Sequence, residues 1–265
     1  MAWIHDYPSW LIGVATIAMF VAAAFAGLAA SRQWSRTRGL HALVDNGVIG
    51  WIFSAILGIY AIAIGLIAVA SWGNASAATS VASHEAAAIA AFYRDLGGYP
   101  APLAADLQKQ LADYTRYVVE EAWPLQRLGE VPHGGTEILN RLQRKMFAFE
   151  PSNDGQKVLH AEALQAFNRL VEYRRQRLEA VDYAVPGTLW SVVLIGAAIS
   201  VIGSFVFNLE SFHVHALMSC LLAAMIGLLV FFIVVTDLPY RGATSVPPDA
   251  YELVLHELIE GRPQP

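Results

Sequence analysis

The chain has 265 residues, of which 56% are hydrophobic and only 15% charged, with a formal net charge of −5. Soluble domains carry roughly 25% charged residues, so the composition excludes an ordinary water-soluble domain. An acidic balance without a basic patch excludes nucleic acid as a partner, and a single cysteine, Cys220, excludes an intrachain disulfide or a thiolate metal centre.

The few charges are unevenly placed. No Asp, Glu, Lys or Arg occurs over residues 7–31, 46–84, 183–209 or 211–236. Each run exceeds the roughly 20 residues with which an α-helix crosses ~30 Å of hydrocarbon, and a soluble core helix would be amphipathic instead. The spacing therefore predicts an all-α polytopic membrane protein with four spans in two hairpins. Hairpin one covers residues 9–73, with helices over about 10–30 and 48–72. Hairpin two covers 186–236, with helices over about 187–207 and 215–236. Asp6 is the only charge before the first run, which lacks the basic start of a signal peptide.

Span one exits into Arg32, Arg36 and Arg38. By the positive-inside rule these arginines put the linker in the cytoplasm and the insert outside. Arg169, Arg174, Arg175 and Arg177 before span three pull the other way, although the insert is longer than the loops the rule governs. Span two has the most informative pattern. Ser54, Gly58, Ala61, Gly65 and Ala68 recur at four, three, four and three, which lets helix backbones approach closely in lipid. Either these residues pack within the chain or they meet another copy. The neighbouring face carries Ile59, Ile62, Leu66 and Val69. The uncharged run continues past Trp72 to His84, too long for one crossing, so the second helix is expected to project beyond the bilayer.

Residues 74–185 read as an extramembrane helical domain. Between Gly73 and Pro186 stand 12 Lys+Arg and 14 Asp+Glu. Leu103, Leu107, Leu111, Tyr114 and Val118 recur at helical spacing, as do Leu139, Leu142, Met146 and Phe149. Leu159, Ala163, Phe167, Leu170, Arg174 and Leu178 make a third such series. Turn chemistry interrupts the helices at Gly97–Pro100, Pro132–Gly135 and Pro151–Gly155. About four helices and no sheet are expected here, with Ser152, Asn153 or Asp154 capping the last. Span three repeats the small-residue device with Gly196, Ser200 and Gly203. Residues 237–265 form an acidic, Pro-containing tail with one short helix around Ala250 to Ile259.

Chemistry-bearing motifs are sparse. Carriers and motors keep Asp, Glu or Lys at membrane depth, and these spans have none. His213 and His215 are two apart and do not face the same way on a helix, so no metal site is expected. Glu252 and His256 have ligand spacing but read as solvated surface. Glu120 and Glu121 point about 100° apart and cannot form an acid–base pair, so an ion pair with an arginine is the expected role of either. No Walker loop, G-x-G-x-x-G, G-x-S-x-G or H-E-x-x-H occurs, so neither an enzyme nor a cofactor is expected.

Several local patterns fall in a recognisable order. They are Leu57-Gly58-Ile59-Tyr60 with Gly65 and Trp72, Glu85 leading to Phe92-Tyr93-Arg94, and Tyr117 with Glu120-Glu121-Ala122-Trp123-Pro124. Arg174, Arg175 and Arg177 follow before Pro186 and Trp190. Last comes Asp237-Leu238-Pro239-Tyr240-Arg241-Gly242 with Val246-Pro247. From about Val48 to Ala250 the chain resembles the bacterial bestrophin-like membrane proteins, with Leu238 where that pattern has Arg or Lys. Bestrophins proper are pentameric anion channels whose second span lines the pore. The resemblance thus implies a multi-pass protein of a bacterial inner membrane, with its insert in the cytoplasm, against the reading of the linker arginines.

The expectation is a passive, anion-selective homo-oligomer in the lipid bilayer, with Ile59, Ile62, Leu66 and Val69 nearest the pore. Glu85 would pair with Arg174, Arg175 or Arg177, and Asp237 and Arg241 would fix the tail and hold an ion pair between subunits. The alternative is a non-conducting accessory subunit that binds a larger membrane complex through its helical domain.

Overall fold

The computed structural model describes residues 7–38, 45–242 and 245–261, without the side chains of residues 36–38. The side chains of Arg36 and Arg38 therefore lie outside the described residues, as does the last part of the tail. The described residues are helical with no strand. In chain order the helices are α1 (Ser9–Arg38), α2 (Asn46–Leu96) and α3 (Leu103–Tyr117), then a π-helical turn (Val118–Ala122) and α4 (Trp123–Arg127). They continue as α5 (Gly135–Phe147), α6 (Asp154–Val181), α7 (Gly187–Ser204), α8 (Phe212–Asp237) and α9 (Asp249–Leu253), with a second π-helical segment at Val254–Ile259. Four of them (Ser9–Ser35 within α1, α2, α7 and α8) are long and apolar enough to cross a membrane.

Two compact units divide the chain, residues 1–74 with 184–237 and residues 75–183 with 238–265. α2 contributes to both. Its 51 residues make about 76 Å of helix at 1.5 Å per residue. Asn74 and Gly73 are poor helix formers, but the alanine-rich run beyond them favours helix strongly. Thr79 and Ser83 turn their hydroxyls back onto the carbonyls of Ala75 and Thr79, which satisfies both hydroxyls within the helix.

In the membrane unit α1 packs along α8, and Gly227 admits the α1 backbone, with Ile17 Cα 3.1 Å from where a Cβ would stand. A small core joins Tyr60, Ile64, Ile67 and Ala68 of α2 to Val193 and Ala197 of α7 and to Ile226, Val230 and Ile233 of α8. The α7–α8 loop is clasped twice. Arg32 donates to the carbonyls of Leu209 and Glu210, and Asn46 exchanges hydrogen bonds with the Asn208 backbone at 2.7 and 2.9 Å. At the other end, Asp237 accepts from the Val185 N–H and from Trp190 Nε1, satisfying a donor that would otherwise be orphaned near the start of α7.

The insert unit has the larger core, built from the rest of α2, α3, α5, α6 and the tail. Asn153 caps α6, accepting from Gln156 N at 2.9 Å, while the Gln156 side chain accepts from Ser152 N. On α6 the buried series is Ala163, Ala166, Phe167, Leu170, Arg177 and Val181. Arg174, expected from its spacing to join that series, does not. It lies at the rim, where it donates to Thr136 Oγ1, and Arg177, seven residues past Leu170, turns inward instead. Nor do Glu120 and Glu121 take the expected role: both are exposed on the π-helical turn, and neither forms an ion pair among the described residues.

Candidate functional site

At about 100° per residue, α2 presents three faces in the membrane unit. The first is packed: Tyr60, Ile64, Ile67, Ala68 and Ser71 are buried. Tyr60 donates to the Val193 carbonyl at 3.0 Å, and Ser71 shares a 2.7 Å hydrogen bond with Thr236. Its fit depends on small residues in α7. A Cβ on Gly196 would stand 2.3 Å from the Tyr60 ring, and one on Gly203 would stand 2.6 Å from Phe53. Ser200 between them is fully buried and bonded to the Gly196 carbonyl.

The second face carries Ser54, Gly58, Ala61 and Gly65. The first three are exposed and Gly65 is partly buried, yet a Cβ on Gly58 or Gly65 would meet nothing within 4 Å. Of the residues expected to pack, Ala68, Gly196, Ser200 and Gly203 do so inside the chain, whereas Ser54, Gly58, Ala61 and Gly65 do not. The physical reason is that Tyr60 and Ile64 already occupy the contact with α7 and α8, which turns the small residues away from it.

The third face carries Ile59, Ile62, Leu66 and Val69, which are 73%, 67%, 67% and 70% exposed. Exposed apolar side chains recur on α1, α7 and α8, where lipid covers them. α2 leaves two adjoining faces open, one bulky and one small. It carries no Asp, Glu, Lys, Arg or His from Asn46 to Ser83.

The insert unit holds the opposite kind of feature. Glu85 and Arg177 are 0% and 1% exposed and form a two-pronged ion pair, Nε to Oε2 at 2.6 Å and Nη2 to Oε1 at 3.2 Å. Arg177 Nη1 also donates to Gln126 Oε1 at 2.6 Å, and Tyr114 donates to Glu85 Oε1 at 2.7 Å. The guanidinium lies 5.5 Å from the Trp123 ring centre and 5.9 Å from that of Tyr251, within cation–π range. Burial on its own would favour the neutral guanidine, but the Glu85 carboxylate outweighs it and holds the Arg177 pKa well above the ordinary value. Burial, reinforced by the Glu85 charge, pushes the Tyr114 and Tyr251 phenols well up.

The tail closes over this cluster. Trp123 Nε1 donates to the Val246 carbonyl at 2.9 Å, and its ring meets Tyr240 and Tyr251. Tyr240 donates to the Ala78 carbonyl at 3.0 Å. Arg241 donates to Leu128 O at 2.6 Å and lies against Gly129, whose φ of +80° and lack of Cβ admit the guanidinium. Asp237 and Arg241 thus each have partners within their own unit. Arg175 pairs with Glu172 and Glu179 on the surface.

Four spanning helices, the inserted helices and the returning tail define a fold that can be compared as a whole. The Bestrophin-like domain family matches residues 18–251. The chain belongs to the Bestrophin-like family. No curated protein matches it by sequence. Crystal structures of a bacterial bestrophin homologue from Klebsiella pneumoniae share the fold. One has a TM-score of 0.69 at 14% identity and covers 95% of this chain and 99% of that one. Another, carrying a leucine-to-threonine substitution, also scores 0.69 at 14% identity and covers 94% and 98%. A structure described as a membrane protein with a proline-to-alanine substitution scores 0.67 at 14%, covering 95% and 99%. This bestrophin-like chain is therefore a multi-pass, all-helical membrane protein.

Three partners in the buried cluster were not singled out as such from the sequence: Gln126, Tyr114 and Tyr251. Gln126 stands 51 positions from Arg177, which it binds, and Tyr251 belongs to the tail, so no local spacing joins either to the pair. Among the described residues no group of three metal-ligating side chains exists, and His256 pairs with Glu260.

Proposed function

We propose that this bestrophin-like chain forms a passive, anion-selective conduit as a ring of identical copies, with α2 nearest the axis. The observation that carries the reading is the pair of open faces on α2. A face of small residues at which a Cβ meets nothing suits the close approach of a helix from a second copy. The adjoining Ile59, Ile62, Leu66 and Val69 would then surround the axis as a hydrophobic constriction, which gates by wetting rather than through a charged relay. In this reading the water-side part of α2 and the insert continue the conduit, and the insert lies in the cytoplasm, as family membership suggests.

Purified protein in liposomes should show chloride flux, and Leu66→Ala, which widens the constriction without adding charge, should increase it. The solubilised protein should have the mass of a ring of copies. Tight vesicles at high protein loading, or a stable complex with other subunits in place of a ring, would overturn the reading and favour an accessory subunit.

A further inference from the structure

Of the seven tryptophans, Trp123 belongs to the core of the insert unit and Trp3 lies outside the described residues. The other five fall at two levels of the membrane unit, which its internal contacts identify. Trp190 donates to Asp237 at the end of α8, and Trp72 stacks on Phe232 with ring centroids 6.2 Å apart. Trp10 stands three residues before Gly13, which lies against Phe231. At the opposite end, Trp51 stands between Gly50 and Phe53, both of which meet Phe207. Trp34 is two residues past Arg32, which holds the Leu209 and Glu210 carbonyls.

Trp10, Trp34, Trp51 and Trp72 are 67%, 55%, 82% and 59% exposed. An indole is a broad apolar ring with one N–H donor, which hydrocarbon leaves unsatisfied and the headgroup layer can satisfy. Along α2, Trp51 and Trp72 stand 21 residues apart with no Asp, Glu, Lys or Arg between them. That makes about 31 Å of helix, against ~30 Å of hydrocarbon in a bilayer. On α1, Trp10 and Trp34 stand 24 residues apart, and Arg32 beside Trp34 is the sole such charge between them. Their span of about 36 Å brackets the same layer from a tilted helix.

We propose that these tryptophans are the lipid anchors of the membrane unit, with Trp10 and Trp72 in one phospholipid headgroup layer, at the level of Trp190, and Trp34 and Trp51 in the other. α2 carries an anchor at each end of its charge-free span, so a bilayer much thinner or thicker than ~30 Å strains the unit. The assignment concerns the membrane unit alone and holds whether or not the chain conducts. A second copy crossing α2 at Gly58 and Gly65 touches it seven residues from either indole, about 10 Å along the axis, and crossing helices diverge from their contact.

The test is the fluorescence of the full-length protein in phosphatidylcholine vesicles whose acyl chains carry bromine either near the carbonyl or near the chain end. The emission lost on Trp51→Phe, and that lost on Trp72→Phe, should be quenched several-fold more by the shallow bromine than by the deep one. Emission quenched equally at both depths, more strongly by the deep bromine, or by neither, overturns the assignment. Thermal unfolding in vesicles of short, intermediate and long acyl chains gives a second readout. Wild-type stability should peak where the hydrocarbon is about 30 Å thick, and the Trp51→Phe, Trp72→Phe double variant should flatten that peak at unchanged helicity. A peak that persists in the double variant, or a loss of stability equal in every lipid, marks these side chains as packing residues and overturns the assignment.

Discussion

In the membrane unit a glycine lies beneath an aromatic ring, Gly196 under Tyr60; in the insert unit a guanidinium is held by a buried carboxylate, Arg177 on Glu85. The membrane unit joins its helices with small residues and neutral hydrogen bonds, such as Ser71 with Thr236 and Tyr60 with the Val193 carbonyl. Lipid tails are as apolar as leucine, so burying a large side chain there gains little over leaving it in lipid, and close backbone approach supplies the attraction. The insert buries Trp123, Phe92, Leu107 and Leu111 away from water, where burial of a large side chain contributes roughly 1.5–3 kcal/mol. That surplus tolerates a desolvated ion pair, provided both partners are present and hydrogen-bonded.

Breaking the pair on one side is the strongest perturbation of this contrast. Arg177→Met leaves Glu85 charged and buried, and should destabilise the insert by about 3–5 kcal/mol in thermal unfolding of the solubilised protein. Adding Glu85→Gln should restore most of that loss. A double variant no more stable than Arg177→Met alone would show that the guanidinium matters through its packing on Trp123 and Tyr251 instead.

Smaller effects separate the two glycine environments of the membrane unit. Gly196→Ala forces a methyl into the Tyr60 ring and should destabilise the unit by about 1–3 kcal/mol. Gly58→Ala meets nothing in the chain and should leave the stability of a single copy unchanged or slightly raised, alanine being the better helix former. A drop in the mass of the assembled particle with Gly58→Ala, without loss of helicity, would locate a copy-to-copy contact on that face.

The weakest perturbation is alkaline. Burial pushes Tyr99 up to about 12, and Tyr114, Tyr240 and Tyr251 are also raised. An unfolded tyrosine ionises near pH 10, so above that value the folded insert binds more protons than the unfolded chain and stability falls as pH rises. Stability from this source is complete below about pH 10. Tyrosinate absorbance should show this group of phenols ionising only as the helical signal is lost. Ionisation of all ten tyrosines before unfolding would contradict the buried cluster.

The four spans and the helical insert were legible because charge is so costly in hydrocarbon that its absence over more than 20 residues marks a helix in contact with lipid. The small-residue rhythm was equally visible on α2 and α7. A rhythm records what a helix can accommodate, not what it meets, and the identical device packs at Gly196 and stands open at Gly58. Glu85 was identifiable as the first charge after a long uncharged run, and three arginines in close succession, Arg174, Arg175 and Arg177, were equal candidates to face it. Which one does so depends on the rotation of α6 as Ala163, Phe167 and Leu170 enter the core, because that rotation carries Arg177 inward with them.

By itself, then, the sequence determined the fold class, the spans and the charge-free character of α2, all consequences of solvent preference summed over many residues. Tertiary packing alone decided which faces of α2 are filled, which arginine is buried, and that His84 stays exposed one residue from a fully enclosed glutamate. Neighbours in sequence point about 100° apart on a helix, so only the elements packed around α2 could separate them into interior and surface.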